Sequence, residues 1–477
     1  YMAMNPLRLI RYHITLIQLE QYDLGRYFAV LRRRYAIRTD MRQKAVWTMK
    51  LKTITAIALM CALAVLGIAV YALHITIAAL IILANIFIFP LYIACAIIIT
   101  LPLDSLLKRH IIQKAKQKIA RYPHLKIIGI TGSYGKTTMK ETLKTVLAEH
   151  FAILATDDNI NTPVGIAWLI LEKLSEETEV FIVEMGAYRI GDIKTLCALT
   201  PPDISVLTGI NEAHIERFGS IANTIAAKFE IVRYAKKGAV IILNADDKRI
   251  RGGYTTRIYG HTTIFYGMKE KELSRYGVDS IRLEDGGLRQ SFALINEHGE
   301  AYHLTTPLLG DYAPATIMGA ICVAEALGMT RAEITHGVVM TRPIAHRLEP
   351  FSTANGVLVI DDSYNGNPDG AREAVRVLAR FKSRRKLYIT PGLVEMGKIS
   401  AEIHRTTGRE LAAVADIVIL IKNSATAYIA EGLASANFKK QNIIWFASAH
   451  EAHAALPAIL KSEDIVLFQN DWPDNYL

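Results

Sequence analysis

The stretch Lys126-Ile127-Ile128-Gly129-Ile130-Thr131-Gly132-Ser133-Tyr134-Gly135-Lys136-Thr137-Thr138 constrains the fold of this chain more than any other. An apolar run with the character of a buried strand enters a glycine-rich turn, and Lys136 to Leu143 continues at helical spacing. Strand, glycine turn and a helix opened by Lys-Thr form the layout of a phosphate-cradling loop. Glycine has no Cβ, so the N–H groups of Gly132, Ser133, Gly135 and Lys136 can converge on phosphate oxygens, and the helix N-terminus adds positive partial charge. In such a loop Lys136 reaches the β- and γ-phosphates and the Thr137 hydroxyl holds Mg²⁺. Ile130 stands where the strict G-x-x-x-x-G-K-[ST] spacing has its first glycine, so an ordinary glycine-containing βα turn is the alternative.

A chain of 477 residues is too long for one core and divides into two or three domains. Its net charge of +10 is concentrated before Pro123 and describes one region. Cys61, Cys95, Cys197 and Cys322 lie far apart with no C-x-x-C pair. That spacing supports neither a disulfide framework nor a zinc site, and it points to a reducing compartment.

Residues 1–52 form a basic arm, with Ile10, Ile14, Ile17, Leu24, Phe28 and Leu31 at amphipathic helical spacing between Leu7 and Leu31. Such a helix can lie on an anionic membrane surface or pack on its own protein. Residues 53–103 contain no Asp, Glu, Lys or Arg. One bilayer crossing needs about 20 residues, so this run predicts two transmembrane helices, Thr53–Ala72 and Ile75–Leu101, turning near His74, with Pro90 kinking the second. Lysines and arginines flank both ends, which places both in the cytoplasm. The expectation is a multi-pass protein of the inner membrane, touching lipid through residues 53–103, with its catalytic domains in the cytoplasm. Two buried helices of a soluble protein are the alternative.

After a basic linker (104–124), apolar strand-like runs alternate with helical patterns. Phe181–Val183, Ile204–Leu207 and Ala239–Leu243 predict a mostly parallel sheet in a central domain, 125–342. A hairpin, Ser280–Leu294, turns at Asp285-Gly286-Gly287. A C-terminal Rossmann-like α/β domain, 343–477, is predicted from strands at Val357–Ile360, Lys386–Ile389, Ile417–Ile421, Ile443–Trp445 and Ile465–Phe468. The expected class is therefore α/β, a P-loop domain plus a Rossmann-like domain, preceded by a transmembrane helical hairpin.

Glu184 ends one strand and His214 follows another. Parallel strands present their C-terminal ends on the phosphate-loop side, where an acid and a histidine could hold a second Mg²⁺ or serve structure alone. From about Lys126 onward the chain resembles the Mur ligase family. The resemblance rests on Thr131–Thr138, Asn159-Ile160-Asn161-Thr162-Pro163-Val164-Gly165, the Glu184 and His214 segments, Ala227-Lys228-Phe229-Glu230, Asn244-Ala245-Asp246-Asp247, His346-Arg347-Leu348-Glu349 and Asp361-Asp362-Ser363-Tyr364-Asn365-Gly366-Asn367-Pro368. The last segment is similar to the MurF type, which adds D-Ala-D-Ala to a UDP-linked muramoyl tripeptide.

The resemblance implies ATP-dependent amide formation through an acyl phosphate, with ATP and Mg²⁺ as cofactors. It implies that Gly132, Ser133, Gly135, Lys136, Thr137 and Thr138 hold phosphates, and that Thr137, Glu184, His214 and a carbamylated Lys228 hold metal. Asn244 and Asp246 fall at adenine contacts, Arg347 at the phosphates, Asp361 at the ribose, and Asn365 and Asn367 in the nucleotide-facing loop. Lys136, Lys228, His214 and Arg347 carry the catalysis. His404 and Trp472 are more readily packing residues. A monomer without a nucleic-acid partner is expected.

Several positions depart from the family. Its usual N-terminal UDP-binding domain has no counterpart in this sequence, where the basic arm and apolar span stand instead. Tyr312 and Thr316 occupy places usually held by His and Asn, Phe468-Gln469-Asn470-Asp471 stands where Lys-Gly-Ser is common, and Gly209 and Asn211 exchange the usual Asn-x-Gly order. Two alternatives remain: a Mur-like ligase with another amino donor or a lipid-linked acceptor, and a membrane-bound P-loop ATPase.

Overall fold

The computed structural model describes residues 6–33, 45–72, 75–157, 160–254, 260–270, 272–364, 366–394 and 396–469. His74, Asn159, Asn365, Glu395, Asn470, Asp471 and Trp472 lie outside them. Contacts divide the chain into two units, Tyr1–His110 and Ile111–Trp472.

The first unit holds helices α1 (Pro6–Leu19), α2 (Leu24–Arg33), α3 (Met49–Ala72) and most of α4 (Ile75–Ile119). One amphipathic helix was expected over Leu7–Leu31, and the chain makes two. Gln21 and Tyr22 adopt left-handed backbone, φ 55° and 63°, which no helix continues through. Asp23 Oδ1 then accepts from Arg26 N at 3.0 Å and opens α2. Leu16, Ile17 and Tyr27 pack with Leu51, Ile54, Ile93 and Ile97 in one core. The antiparallel pairing of α3 and α4 is fixed by Lys50 Nζ to Asp104 Oδ2 at 3.0 Å and Asn85 Nδ2 to the Ala62 carbonyl at 3.1 Å. Helix α4 runs on through Pro90 and Pro102 into the basic segment expected as a linker. Met49–Tyr71 and Phe87–Ile119 are long and apolar enough to cross a membrane, by length and composition only.

In the second unit β1 (Lys126–Thr131), β2 (Ile153–Ala155), β3 (Val180–Glu184), β4 (Ile204–Leu207), β5 (Val240–Asn244) and β6 (Thr262–Tyr266) form one sheet in the order β2-β3-β1-β4-β5-β6. All five pairings are parallel. The inner strands β3 and β4 are buried on both faces, as apolar runs without alternation require, and the edge strands β2 and β6 only in part. Helix α5 (Lys136–Leu147) packs Met139, Leu143, Val146 and Leu147 into one core. Truncating Leu143 there to Ala costs about 2–5 kcal/mol.

The expected hairpin exists and gains a third strand: β7 (Tyr276–Glu284), β8 (Arg289–Asn296) and β9 (Ala301–Thr306) make an antiparallel sheet. The C-terminal lobe contains β10 (Glu349–Ser352), β11 (Leu358–Asp362), β12 (Lys386–Thr390), β13 (Ile417–Ile421), β14 (Ile443–Phe446) and β15 (Ile465–Gln469) in the order β10-β11-β15-β12-β13-β14. Only β10 runs antiparallel to its neighbour.

Candidate active site

β1 pairs with β3 so that Ile130 lies opposite Glu184. The glycine turn after β1 and the acid at the end of β3 therefore share one edge of the sheet. Gly135 has φ 74°, a left-handed turn that admits glycine and brings the chain directly into α5. Lys136 Nζ donates to the Gly132 carbonyl at 3.0 Å, folding the side chain back over the loop. The Thr137 hydroxyl donates to Glu184 Oε2 at 3.0 Å, and Glu184 N donates to Thr156 Oγ1 at 3.0 Å. Burial pulls the Lys136 ammonium below its ordinary range; Glu184 opposes that and Arg347 adds to it.

The next loop, 208–214, is tied to the glycine turn. Ser133 N donates to the Gly209 carbonyl at 2.7 Å, and Ile210 N to Asp247 Oδ2 at 2.6 Å. The Tyr134 ring covers Gly209 so closely that a Cβ there would come within 2.1 Å of the ring Cζ. His214 sits at φ 58° with its ring edge-on to Tyr188, centroids 5.2 Å apart. Lys228 is 3% exposed, its ammonium 5.7 Å from the Phe218 ring centre. Burial first, and Lys136 second, hold that amine far below its ordinary pKa, against Asp192 and Glu184.

Arg347 comes from the C-terminal lobe, with its guanidinium 4.9 Å over the Tyr364 ring. Left-handed residues flank it, His346 at φ 59° and Leu348 at φ 47°, a backbone cost borne only where neighbours enforce it. The enforcing bonds are His346 Nδ1 to Asp361 Oδ2 at 2.7 Å, His346 N to Glu349 Oε2 at 3.0 Å and Leu348 N to Asp362 Oδ1 at 3.3 Å. Ligand atoms of His346, Glu349 and Asp361 lie within 4.8 Å of one another, a possible cation group. Those existing bonds explain it as a brace for Arg347.

A cavity of about 1140 Å³ lies between the lobes, and Lys136, Thr137, Glu184, His214, Lys228 and Arg347 all line it. Gly132, Ser133, Gly135, Thr138 and Asn367 line it too. Asn244, Asp246 and Asp361 are not among its walls. Asn244 donates to the Thr208 carbonyl at 2.8 Å and accepts from Asp246 N at 2.9 Å. Asp246 accepts from the N–H groups of Met268 and Lys269 at 2.8 and 2.7 Å. Both side chains are occupied holding the loops after β5 and β6. His404 is 1% exposed and accepts from Leu393 N, a packing role.

Two residues assigned no role in the sequence reading prove central. Asp362 is buried beneath Arg347, and desolvation pushes its carboxyl up to about 7 although Arg347 pulls the other way. The doubled Asp361-Asp362 was its signal, since alternation on a strand sends neighbours to opposite faces. Asn211, exchanged with Gly209, is fully buried between the lobes.

The Mur ligase middle domain matches residues 130–324, and the Mur ligase glutamate ligase domain matches residues 346–469. The UDP-N-acetylmuramoyl-tripeptide–D-alanyl-D-alanine ligase of Haemophilus influenzae is 29% identical over 315 residues, 65% of this chain and 66% of the relative. That of Bacillus subtilis is 26% identical over 348 residues, 72% of each. A crystal structure of MurF ligase from Thermotoga maritima in complex with ADP superposes with a TM-score of 0.67 at 25% identity, covering 76% of this chain and 80% of that one. MurF from Acinetobacter baumannii shares the fold at a TM-score of 0.68.

These likenesses overturn the multi-pass inner-membrane placement: the matched relatives are MurF ligases, and the described residues hold two helices that are long and apolar enough to cross a membrane by length and composition only. An uncharged run satisfies the length rule whether it meets lipid or protein; α3 and α4 bury Leu51, Ile54, Phe89 and Ile93 in the core they share with α1 and α2, while Leu63, Ile68, Ile98 and Ile99 are exposed. With both domain types matched and the two lobes arranged as in a solved relative, the chain belongs to the Mur ligase family.

Proposed function

We propose that the protein is an ATP-dependent, ADP-forming MurF-type ligase that joins D-alanyl-D-alanine to a UDP-N-acetylmuramoyl tripeptide in peptidoglycan precursor synthesis. The observation that carries the reading is the convergence of Lys136, Thr137, Glu184, His214, Lys228 and Arg347 on one cavity. The lobes meet at Arg342–Pro343, giving domains 125–342 and 343–477.

The donors fit a hard divalent cation: Thr137 Oγ1 and Glu184 Oε2 are 3.0 Å apart, both oxygens. Thr137 and Glu184, with His214 and Lys228, would hold Mg²⁺, which would supply charge neutralisation where two anions must meet. The buried Lys228 amine, held by desolvation well below its ordinary pKa, fits carbamylation: it adds to CO₂, forms an N–C bond, releases one proton and becomes an anion. Lys136 and Arg347 bind phosphate oxygens. The acceptor carboxylate displaces ADP from the γ-phosphorus, and the dipeptide amine then displaces phosphate from the acyl phosphate, losing a proton. The C-terminal lobe covers the site and keeps water from that mixed anhydride.

A second reading, a Mur-like ligase with another donor or a lipid-linked acceptor, is favoured by Tyr312. It stands where the family usually has His, and it packs against both cores. Phosphate release from ATP with Mg²⁺, UDP-muramoyl tripeptide and D-Ala-D-Ala tests the proposal. Release requiring both organic substrates is expected. Release requiring a different amine supports the second reading, and release ignoring both organic substrates marks an ATPase.

A further inference from the structure

Asn211 joins three elements that the proposed reaction needs together. It is 0% exposed, so each of its polar atoms needs a partner. Its Nδ2 donates to Asn367 Oδ1 at 2.9 Å and to Asp369 Oδ2 at 2.8 Å. Its Oδ1 accepts from Ala213 N at 3.0 Å, beside His214, and its carbonyl accepts from the Ser133 hydroxyl at 3.4 Å. Asn367 and Asp369 open α6 (Pro368–Ala379) in the C-terminal lobe, where Asn367 Oδ1 also caps Gly370 N at 3.1 Å.

One amide thus ties the glycine turn and the His214 loop of the central lobe to a helix start in the other lobe. Both amide hydrogens are spent across the lobe boundary, and none remains for the loop itself. When the lobes separate, Asn211 loses two buried bonds, and the loop keeps only its ties within the central lobe, to Ser133, Asp247 and Arg249. The exchange of Gly209 and Asn211 has a packing reason. Tyr134 leaves room only for glycine at 209, which moves the amide two residues nearer His214.

We propose that Asn211 is a positioning residue that couples docking of the C-terminal lobe to the conformation of the loop bearing His214. This rests on the ligase reading. Lobe docking orders His214 through Asn211, so the site is complete only when it is closed.

The test uses the full chain with two readouts: phosphate release, giving kcat and KM for ATP, and energy transfer between dyes on the two lobes. N211A is expected to lower kcat about tenfold or more with KM for ATP within about threefold, to lengthen the dye separation and to leave the melting temperature nearly unchanged. N211D places a carboxylate against Asp369 and gives the same loss. N211D/D369N recovers both readouts in part, because the new amide donates to the new carboxylate while the bond to Asn367 stays lost. Unchanged kcat and dye distance in N211A, or no recovery in N211D/D369N, overturns the coupling. A wild-type chain without ATP-dependent turnover overturns the ligase reading instead, and the dye distances then decide the coupling alone.

Discussion

The Thr137 hydroxyl donates to Glu184 Oε2 at 3.0 Å, although 47 residues separate the two in sequence. The pairing of β1 with β3 makes that approach, and the proposed metal chemistry follows from it. Thr137→Ala and Glu184→Gln should each raise the Mg²⁺ concentration needed for half-maximal phosphate release by about tenfold. The double variant should be no worse than the sum predicts and, since the two act on one site, less than additive. A magnesium titration of all three checks this.

Lys136→Ala should lower turnover by about 10²–10³-fold, the usual loss when one charge-stabilising group is removed. Its melting temperature should change little, because among the described residues the lysine bonds only to the Gly132 carbonyl of its own loop. Phosphate release and a thermal melt read the two effects separately. Retained turnover removes the loop from the reaction.

Lys228 should be carbamylated when CO₂ is present. Incubation with ¹³C-bicarbonate should give a carbamate carbon signal that Lys228→Ala lacks, and CO₂-depleted buffer should lower turnover reversibly. The reason is the buried amine, which desolvation holds well below its ordinary pKa. A wild-type spectrum without that signal rejects the assignment.

Asp362 should make stability fall as pH rises toward neutrality. Its folded pKa, raised to about 7 from 3.8, means the folded chain keeps a proton that the unfolded chain loses above 3.8. The contribution is complete below pH 3.8 and is lost as pH rises through 7, on the order of 4 kcal/mol in all. Asp362→Asn should flatten that decline in denaturant melts taken across this range.

Glu333 should matter at the acid end. His150 first, then Thr330, hold its carboxyl down to about 2. A depressed acid stabilises above its unfolded value of 4.5, and that contribution is lost as pH falls through 2. Glu333→Gln should therefore move the acid-unfolding midpoint to higher pH, followed by circular dichroism.

Short-range chemistry was readable along the chain. Apolar runs bounded by turns located Ile204–Leu207 and Ile417–Ile421 to the residue, and the glycine turn before Lys136 marked a phosphate loop. Each depends on a few neighbouring residues: β-propensity, the missing Cβ of glycine, the helix start. The break at Gln21 and Tyr22 escaped because apolar spacing continues across it while the backbone turns left-handed.

The fate of the apolar span and the partners of the site residues depended on distance in space. An uncharged helix reads the same whether it faces lipid or protein. Asn244 and Asp246 sit in a motif shared with ligases, yet here their side chains are committed to neighbouring loops. Asn211 and Asn367 lie 156 residues apart and meet at 2.9 Å, because sheet order and lobe docking bring their loops to one boundary. Local periodicity sets which elements form; which of their side chains meet is set by long-range packing, whose energy is shared among residues that no short window contains.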